Sequence, residues 1–172
     1  MKSIFIAVSL LLLSFNSYAA AYLGMGFGKV DYDADAISTF DDPTGLEFFI
    51  GNNFSDNLAF ELGIVKFGES SDGIPPEWRL EADSLAFSLL GKSQVSETAQ
   101  IFFKFGLHSW DISISEDGFG VFGEEDGTDI FYGFGANFKV SNQVGLGFRY
   151  NIYDFDGDDV TMFSFNAQIE LQ

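Results

Sequence analysis

The sequence predicts an all-β chain, an eight-stranded antiparallel up-and-down transmembrane β-barrel, on three observations. The first is period-two alternation. Leu58, Phe60, Leu62 and Ile64 alternate with Ala59, Glu61, Gly63 and Val65; Ile101, Phe103, Phe105 and Leu107 with Phe102, Lys104, Gly106 and His108; Val144, Leu146, Phe148, Tyr150 and Ile152 with Gly145, Gly147, Arg149 and Asn151. Side chains on a strand alternate faces, so each segment carries one apolar face and one face of glycine and charge. The second is length. Most strands run to about ten residues or more, as a tilted membrane strand requires, against five or six in a typical soluble one. The third is the spacing of connections, short on one rim and long on the other.

Residues 1–19 precede the barrel. Met1-Lys2-Ser3 leads into an apolar stretch, Ile4 to Leu13, broken only by Ser9, and then into Ser17-Tyr18-Ala19. This is the tripartite pattern of a secretory signal peptide, with cleavage expected after Ala19 and Ala21 as the rival site. The apolar stretch of about ten residues is too short for a spanning helix, which needs roughly twenty. The barrel domain is then residues 20–172, a length that suits one domain.

The strands follow in order at 21–30, 45–54, 58–67, 81–91, 99–110, 129–140, 143–153 and 160–171. In the first, Gly24, Gly26 and Gly28 take the inner face. The second and third flank the tight turn Ser55-Asp56-Asn57. In the fourth, Leu85, Phe87 and Leu89 are assigned outward, although Leu90 offers the opposite phase. Lys92 to Thr98 is a modest turn before the fifth. Gly133 and Gly135 of the sixth, and Gly145 and Gly147 of the seventh, join Gly106 on the inner face, and Ser141-Asn142 links those two strands. Long connections fall at 31–44, 68–80 and 111–128, with 154–159 as a shorter fourth. Pro43, Pro75 and Pro76 all lie in these loops, as strand interiors require. No internal repeat beyond the hairpin period is evident.

Charge sorts with this topology. The chain has 8 Lys and Arg against 26 Asp and Glu, a formal charge of -18. The long-loop rim carries Asp31, Asp33, Asp35, Asp41 and Asp42, then Glu69, Asp72, Glu77, Glu81 and Asp83. It continues with Asp111, Glu116, Asp117, Glu124, Glu125, Asp126 and Asp129, and ends with Asp154, Asp156, Asp158 and Asp159. The short-turn rim keeps Asp56, Glu97 and Glu170. Such an acidic balance excludes nucleic acid, whose phosphates need Lys and Arg, and a polybasic membrane-surface anchor. Cysteine is absent, which excludes disulfides, zinc-thiolate sites and a Cys nucleophile.

The candidate site is the polar interior. Glu61, Lys104 and Arg149 point into the lumen on this phase, with Asn137 beside them. Charges buried in a narrow barrel must be paired, so the four are read as a structural lumen network that fixes register rather than as a gated ion path. His108 lies next to Ser109 and close to Asp111, but adjacent strand residues face opposite sides and do not share a hydrogen bond, so no catalytic residue is assigned. Gly24-Met25-Gly26-Phe27-Gly28 is not a phosphate loop, because no Gly-Lys-Ser and no helix follow it. Asp154, Asp156, Asp158 and Asp159 resemble a calcium loop in composition and lack its spacing and final Glu. They are weak divalent-cation candidates at an acidic outer rim, and no other metal or cofactor is expected.

Gly133-Phe134-Gly135-Ala136-Asn137-Phe138-Lys139-Val140, continuing through Gly145-Leu146-Gly147-Phe148-Arg149-Tyr150, resembles the last hairpins of the outer-membrane protein A (OmpA)-like eight-stranded barrels. Phe49-Ile50-Gly51-Asn52-Asn53-Phe54, continuing through Leu58-Ala59-Phe60-Glu61-Leu62-Gly63, resembles their second and third strands. The resemblance implies a porin-like outer-membrane β-barrel in which Glu61, Lys104 and Arg149 match the interior ionic cluster. Asn137 stands where the family often has a second interior acid, which weakens a gating role. The sequence closes on Ile169-Glu170-Leu171-Gln172 where such barrels usually carry a final aromatic, and no wall-binding domain is expected. The expected role is a monomeric outer-membrane barrel, bathed in outer-membrane lipid, that is structural or surface-interacting with at most a narrow ion-conducting lumen. The alternatives are an outer-leaflet lipid-modifying enzyme on the same scaffold and a secreted lipocalin-like barrel with an apolar lumen.

Overall fold

Alternation of apolar and small or polar residues closes the chain into one barrel. The computed structural model describes residues 20–33, 42–71, 73, 77–116 and 118–171. The proposed signal segment, most of the first loop, and Asp72, Pro75, Pro76 and Asp117 lie outside them. The strands are β1 (Ala20–Asp33), β2 (Thr44–Asn53), β3 (Leu58–Ser71), β4 (Trp78–Gln94), β5 (Ala99–Glu116), β6 (Gly120–Lys139), β7 (Val144–Phe155) and β8 (Asp158–Leu171). Each pairs antiparallel with its neighbour in sequence, and β1 pairs with β8 from Ala21↔Leu171 to Asp33↔Asp159, so no edge is left at membrane level.

The apolar stripes face out. Met25, Phe27, Phe48, Ile64, Phe87, Leu89, Phe103, Leu107, Phe134 and Phe165 are all exposed, while Glu47, Glu61, Lys104, Arg149 and Asn151 are buried inside. This removes the lipocalin-like alternative, which needs the opposite arrangement. The fourth strand takes the expected phase: Leu85, Phe87 and Leu89 point out. Leu90 points in and packs with Tyr22, Phe49, Ala59 and Phe102.

The outer connections differ from expectation. Residues 111–128 are not a loop. β5 runs up to Glu116 and β6 starts at Gly120, paired from Glu116↔Gly120 downward, with Gly118 and Gly120 at φ of 86° and 90° in the turn. β4 accompanies them as far as Trp78↔Glu116, whereas β6 pairs with β7 only up to Phe131↔Tyr153. The stretch 120–130 therefore has β5 on one side and no strand on the other among the described residues. Above the bilayer residues 120–126 of β6 are exposed on both faces, so no alternation marks that stretch in the sequence, while Ile112 of β5 still packs on the lumen core. Likewise, 154–159 is no loop. Asp156 and Gly157, at φ of 55° and 99°, form a two-residue hairpin turn with both centres in the left-handed region, as an Asp-Gly pair favours.

The three short turns share one design. In Phe54-Ser55-Asp56-Asn57-Leu58, the Ser55 hydroxyl accepts the amides of Asn57 (3.3 Å) and Leu58 (3.0 Å). Ser96 does the same for Thr98 (3.3 Å) and Ala99 (3.1 Å), and Ser141 for Gln143 (3.3 Å) and Val144 (3.1 Å). Each turn also offers a carbonyl (Asn57, Thr98, Gln143) to a backbone amide of the next strand pair (Lys92, Lys139, Glu170). This is an internal repeat that the sequence hides, because serine is its only constant polar residue. Serine hydroxyls that satisfy turn amides contribute about 1 kcal/mol each. Ser55→Ala, Ser96→Ala and Ser141→Ala are each expected to lower unfolding free energy by that amount and to add when combined, as read by urea titration in detergent micelles.

Candidate functional site

Glycine on the inner face makes room for long side chains. A Cβ on Gly26 would lie 2.6 Å from the Glu47 carboxylate, and one on Gly51 would overlap the Tyr22 ring. Into this space the Arg149 guanidinium reaches across to Glu61, its Nη1 and Nη2 donating to the two carboxylate oxygens at 3.0 and 2.9 Å. This is the bidentate, charge-assisted geometry that arginine forms best. The Tyr22 hydroxyl donates to Glu61 at 3.0 Å. Glu47 lies 3.8 Å from Arg149 and accepts from the Ser164 hydroxyl at 2.7 Å. The guanidinium also stacks over the Phe49 ring at 3.6 Å, a favourable placement for a delocalised cation. Lys104 is buried one strand pair away and has no ion pair within 4.0 Å among the described residues. Its ammonium faces the Phe131 ring at 5.4 Å.

The structure thus brings Glu61 and Arg149 into direct contact, holds Lys104 nearby and leaves Asn137 out. Asn137 faces inward but sits one rung lower, opposite Gly147, where its side-chain oxygen has no partner; Arg149 pairs with Gly135 instead. The height of a residue along the barrel depends on register, which alternation alone does not supply. The second interior acid is Glu47, which the sequence reading missed. Its signal was present: Leu46, Phe48 and Ile50 point out, which turns Glu47 in. Two acids and two bases leave this layer neutral, so each buried charge has compensation close by.

Below the cluster a vestibule of about 710 Å³ opens among the short turns, lined by Lys92, Gln100, Asn137, Gln168 and Glu170 among others. At the cluster itself the free space falls to about 10 Å³, room for no more than one water. Above it the lumen is filled by Phe67, Trp110, Phe131, Tyr153, Phe155 and Met162. Phe67 stands at a β-bulge between Lys66 and Gly68 and meets Tyr153 and Phe155 edge-on at 5.0 and 5.3 Å.

His108 is sealed in this aromatic layer, 1% exposed. Its Nε2 lies 2.7 Å from the Asp154 backbone carbonyl, which can only accept, so Nε2 carries the proton and Nδ1 accepts from the Ser84 hydroxyl at 3.0 Å. Ser109 faces outward, as alternation requires. A serine–histidine pair does exist, from Ser84 on the neighbouring strand, but the third group is a carbonyl and both side chains are buried. The arrangement braces β4, β5 and the β7–β8 turn.

The turn itself is held by carboxylates. Asp129 accepts from Trp110 Nε1 (2.8 Å) and from the Asp156 amide (3.3 Å), and Asp154 accepts from the Gly157 amide (2.7 Å). Asp154, Asp156, Asp158 and Asp159 do not converge, and no cluster of three or more potential metal ligands occurs among the described residues. On the outer half the cations Lys29, Lys66 and Arg79 each face acids: Lys29 pairs with Asp42, Lys66 with Asp83 at 2.9 Å, and Arg79 with Glu77 at 3.4 Å and Glu69 at 3.7 Å. Glu116, Glu124, Glu125 and Asp126 of the ribbon are in no ion pair among the described residues. At its tip Phe119, Val121 and Phe122 are exposed, Phe119 at 76%.

A closed barrel that is apolar outside, ionic inside and edgeless at membrane level is a membrane-spanning barrel of the outer-membrane kind. The family profile described as outer membrane protein beta-barrel domain matches residues 5–169, and the chain belongs to that family. Among solved structures it resembles Neisserial surface protein A (14% identity, TM-score 0.64, covering 90% of this chain and 100% of that one). It also resembles the N-terminal barrel of Pseudomonas aeruginosa OprF (12%, 0.63, 88% and 97%). A third is Yersinia pestis Ail, the attachment invasion locus protein, in complex with the heparin analogue sucrose octasulfate (12%, 0.62, 89% and 97%). At these identities the likeness is one of fold. No curated protein matches the chain.

Proposed function

We propose that the protein is a monomeric outer-membrane barrel, exported through a signal peptide cleaved after Ala19, whose work is structural anchorage of a surface-interacting ribbon. The observation that carries this reading is the β5–β6 ribbon. It extends the sheet beyond the barrel wall and ends in exposed Phe119, Val121 and Phe122 beside Glu116 and Glu124, which are in no ion pair among the described residues. An apolar centre rimmed by polar groups is the anatomy of a protein interface. The packed lumen, closed by the Glu61–Arg149 cluster and then by aromatics, favours this over conduction. The sealed Ser84–His108 pair favours it over an outer-leaflet lipid enzyme.

The test replaces residues 113–124 with a two-residue Asn-Gly turn. The variant is expected to stay in the envelope fraction and to keep the gel shift between unboiled and boiled samples. Attachment of expressing cells to protein-coated surfaces is expected to fall several-fold, and the intact mass should place the first residue at Ala20. Unchanged attachment would overturn the surface role, and recovery of the parent protein as a soluble species would overturn the membrane assignment.

A further inference from the structure

We infer that the ribbon binds a cationic polypeptide segment bearing an apolar anchor, seated with the anchor on Phe119, Val121 and Phe122 and its basic groups along Asp111, Glu124 and Asp126. The inference rests on the surface-interaction reading above and names the partner's chemistry.

Two independent features support it. The first is the tip. A register shift between Ile114 and Ser115 opposes Ile114 to Gly123 and Ser115 to Val121, leaving Phe122 as the extra residue on β6. Bulges of this kind re-aim a side chain, and here Phe122 comes within 5.5 Å of the Trp78 ring while staying exposed. Three apolar side chains within four residues then stand more than half exposed, even with Phe122 against Trp78.

The second feature is the ladder beneath. Asp111 stands directly opposite Asp126 on the exposed face, and Glu124, two residues nearer the tip and opposite Ser113, shares that face, whereas Glu125 opposite Ile112 turns to the other. Like charges facing each other across strands are unfavourable, so sheet stability does not explain the pair. A row of external cations would relieve it. Arginine or lysine at alternate positions of an extended segment matches the period of these strands. The chain's charge of -18 would also speed the encounter with a basic partner. Polysulfated ligands such as the one in the Ail complex have the wrong sign for this surface. The three outer-half cations are already matched by carboxylates.

The full-length protein in zwitterionic nanodiscs is titrated with a fluorescent peptide that alternates lysine with leucine. Parallel arms use the same peptide with glutamate for lysine, the same peptide with glycine for leucine, sucrose octasulfate, and calcium ion alone. The lysine–leucine peptide is expected to bind, and to weaken at least about tenfold in Glu124→Gln/Asp126→Asn, in Phe119→Ser/Phe122→Ser, and between about 0.05 and 0.5 M salt. The other peptides and sucrose octasulfate should bind at least about tenfold more weakly. The gel shift on boiling checks that both variants keep the barrel. Equal binding of the glycine peptide, unchanged binding by either variant, or saturation by calcium without peptide binding would overturn the inference. If the ribbon replacement abolishes attachment while the peptide fails to bind, the partner chemistry is wrong and the surface role stands. If attachment survives ribbon replacement, the surface role itself is wrong.

Discussion

Arg149→Met is expected to destabilise the barrel by about 3–5 kcal/mol, the loss that follows when one partner of a buried ion pair is removed. The guanidinium makes both hydrogen bonds to Glu61, lies 3.8 Å from Glu47 and is 1% exposed, so its removal strands two carboxylates in a site with room for a single water. Tyr22 and Ser164 each keep one hydrogen bond to the acids, and neither brings charge. Lys104 is the remaining cation, held against Phe131 rather than against an acid. Adding Glu61→Gln to Arg149→Met should recover much of the loss, because a neutral amide no longer needs the cation. Equilibrium urea unfolding in micelles measures both. A single-mutant loss below about 1 kcal/mol would show that Lys104 takes over the pairing and that the cluster is interchangeable rather than fixed.

Phe103→Arg is expected to cost about 2–4 kcal/mol, and Ser109→Arg on the same face of β5 at most about 1 kcal/mol. Phe103 lies mid-way along the apolar stripe from Ile101 to Leu107, more than half exposed, and faces Gly91 and Phe134 across the ladders. Were that face in water, an exposed Phe→Arg change would fall within about 0.5 kcal/mol. The depth dependence is therefore a direct reading of the medium around the barrel. Equal small effects at both positions in a lipid-reconstituted sample would contradict a bilayer there.

The legible parts of the fold were those where the environment forces a residue type. Lipid demands apolar side chains on every outward position between the rims, so strand phase could be read even in β4, where Leu90 argues the other way. Nothing forces composition once both faces of a strand are wet. The ribbon from Asp111 to Asp129 therefore read as an acidic loop, although Ile112 and Ile114 already alternate with Ser113 and Ser115. In the lumen, phase assigned Glu61, Lys104 and Arg149 inward, but which of them touch depends on stagger between strands. That placed Asn137 a rung too high and left Glu47 unnoticed. The pairing of His108 with Ser84 was hidden for the same reason, since the partner comes from the next strand and not from the adjacent residue.

The closed seam and the repeated short turn together make the order of the strands a label rather than a constraint. β8 meets β1 through thirteen consecutive pairs, the same antiparallel relation that β2 has to β3 or β6 to β7. The Ser55, Ser96 and Ser141 turns are one part used three times on the short-turn rim. A fourth copy joining Leu171 to Ala21, with the chain reopened at any of the other three, would leave every ladder bond between strands in place. For this barrel the exchangeable unit is the hairpin, and a circular permutant closed in this way is expected to keep the fold.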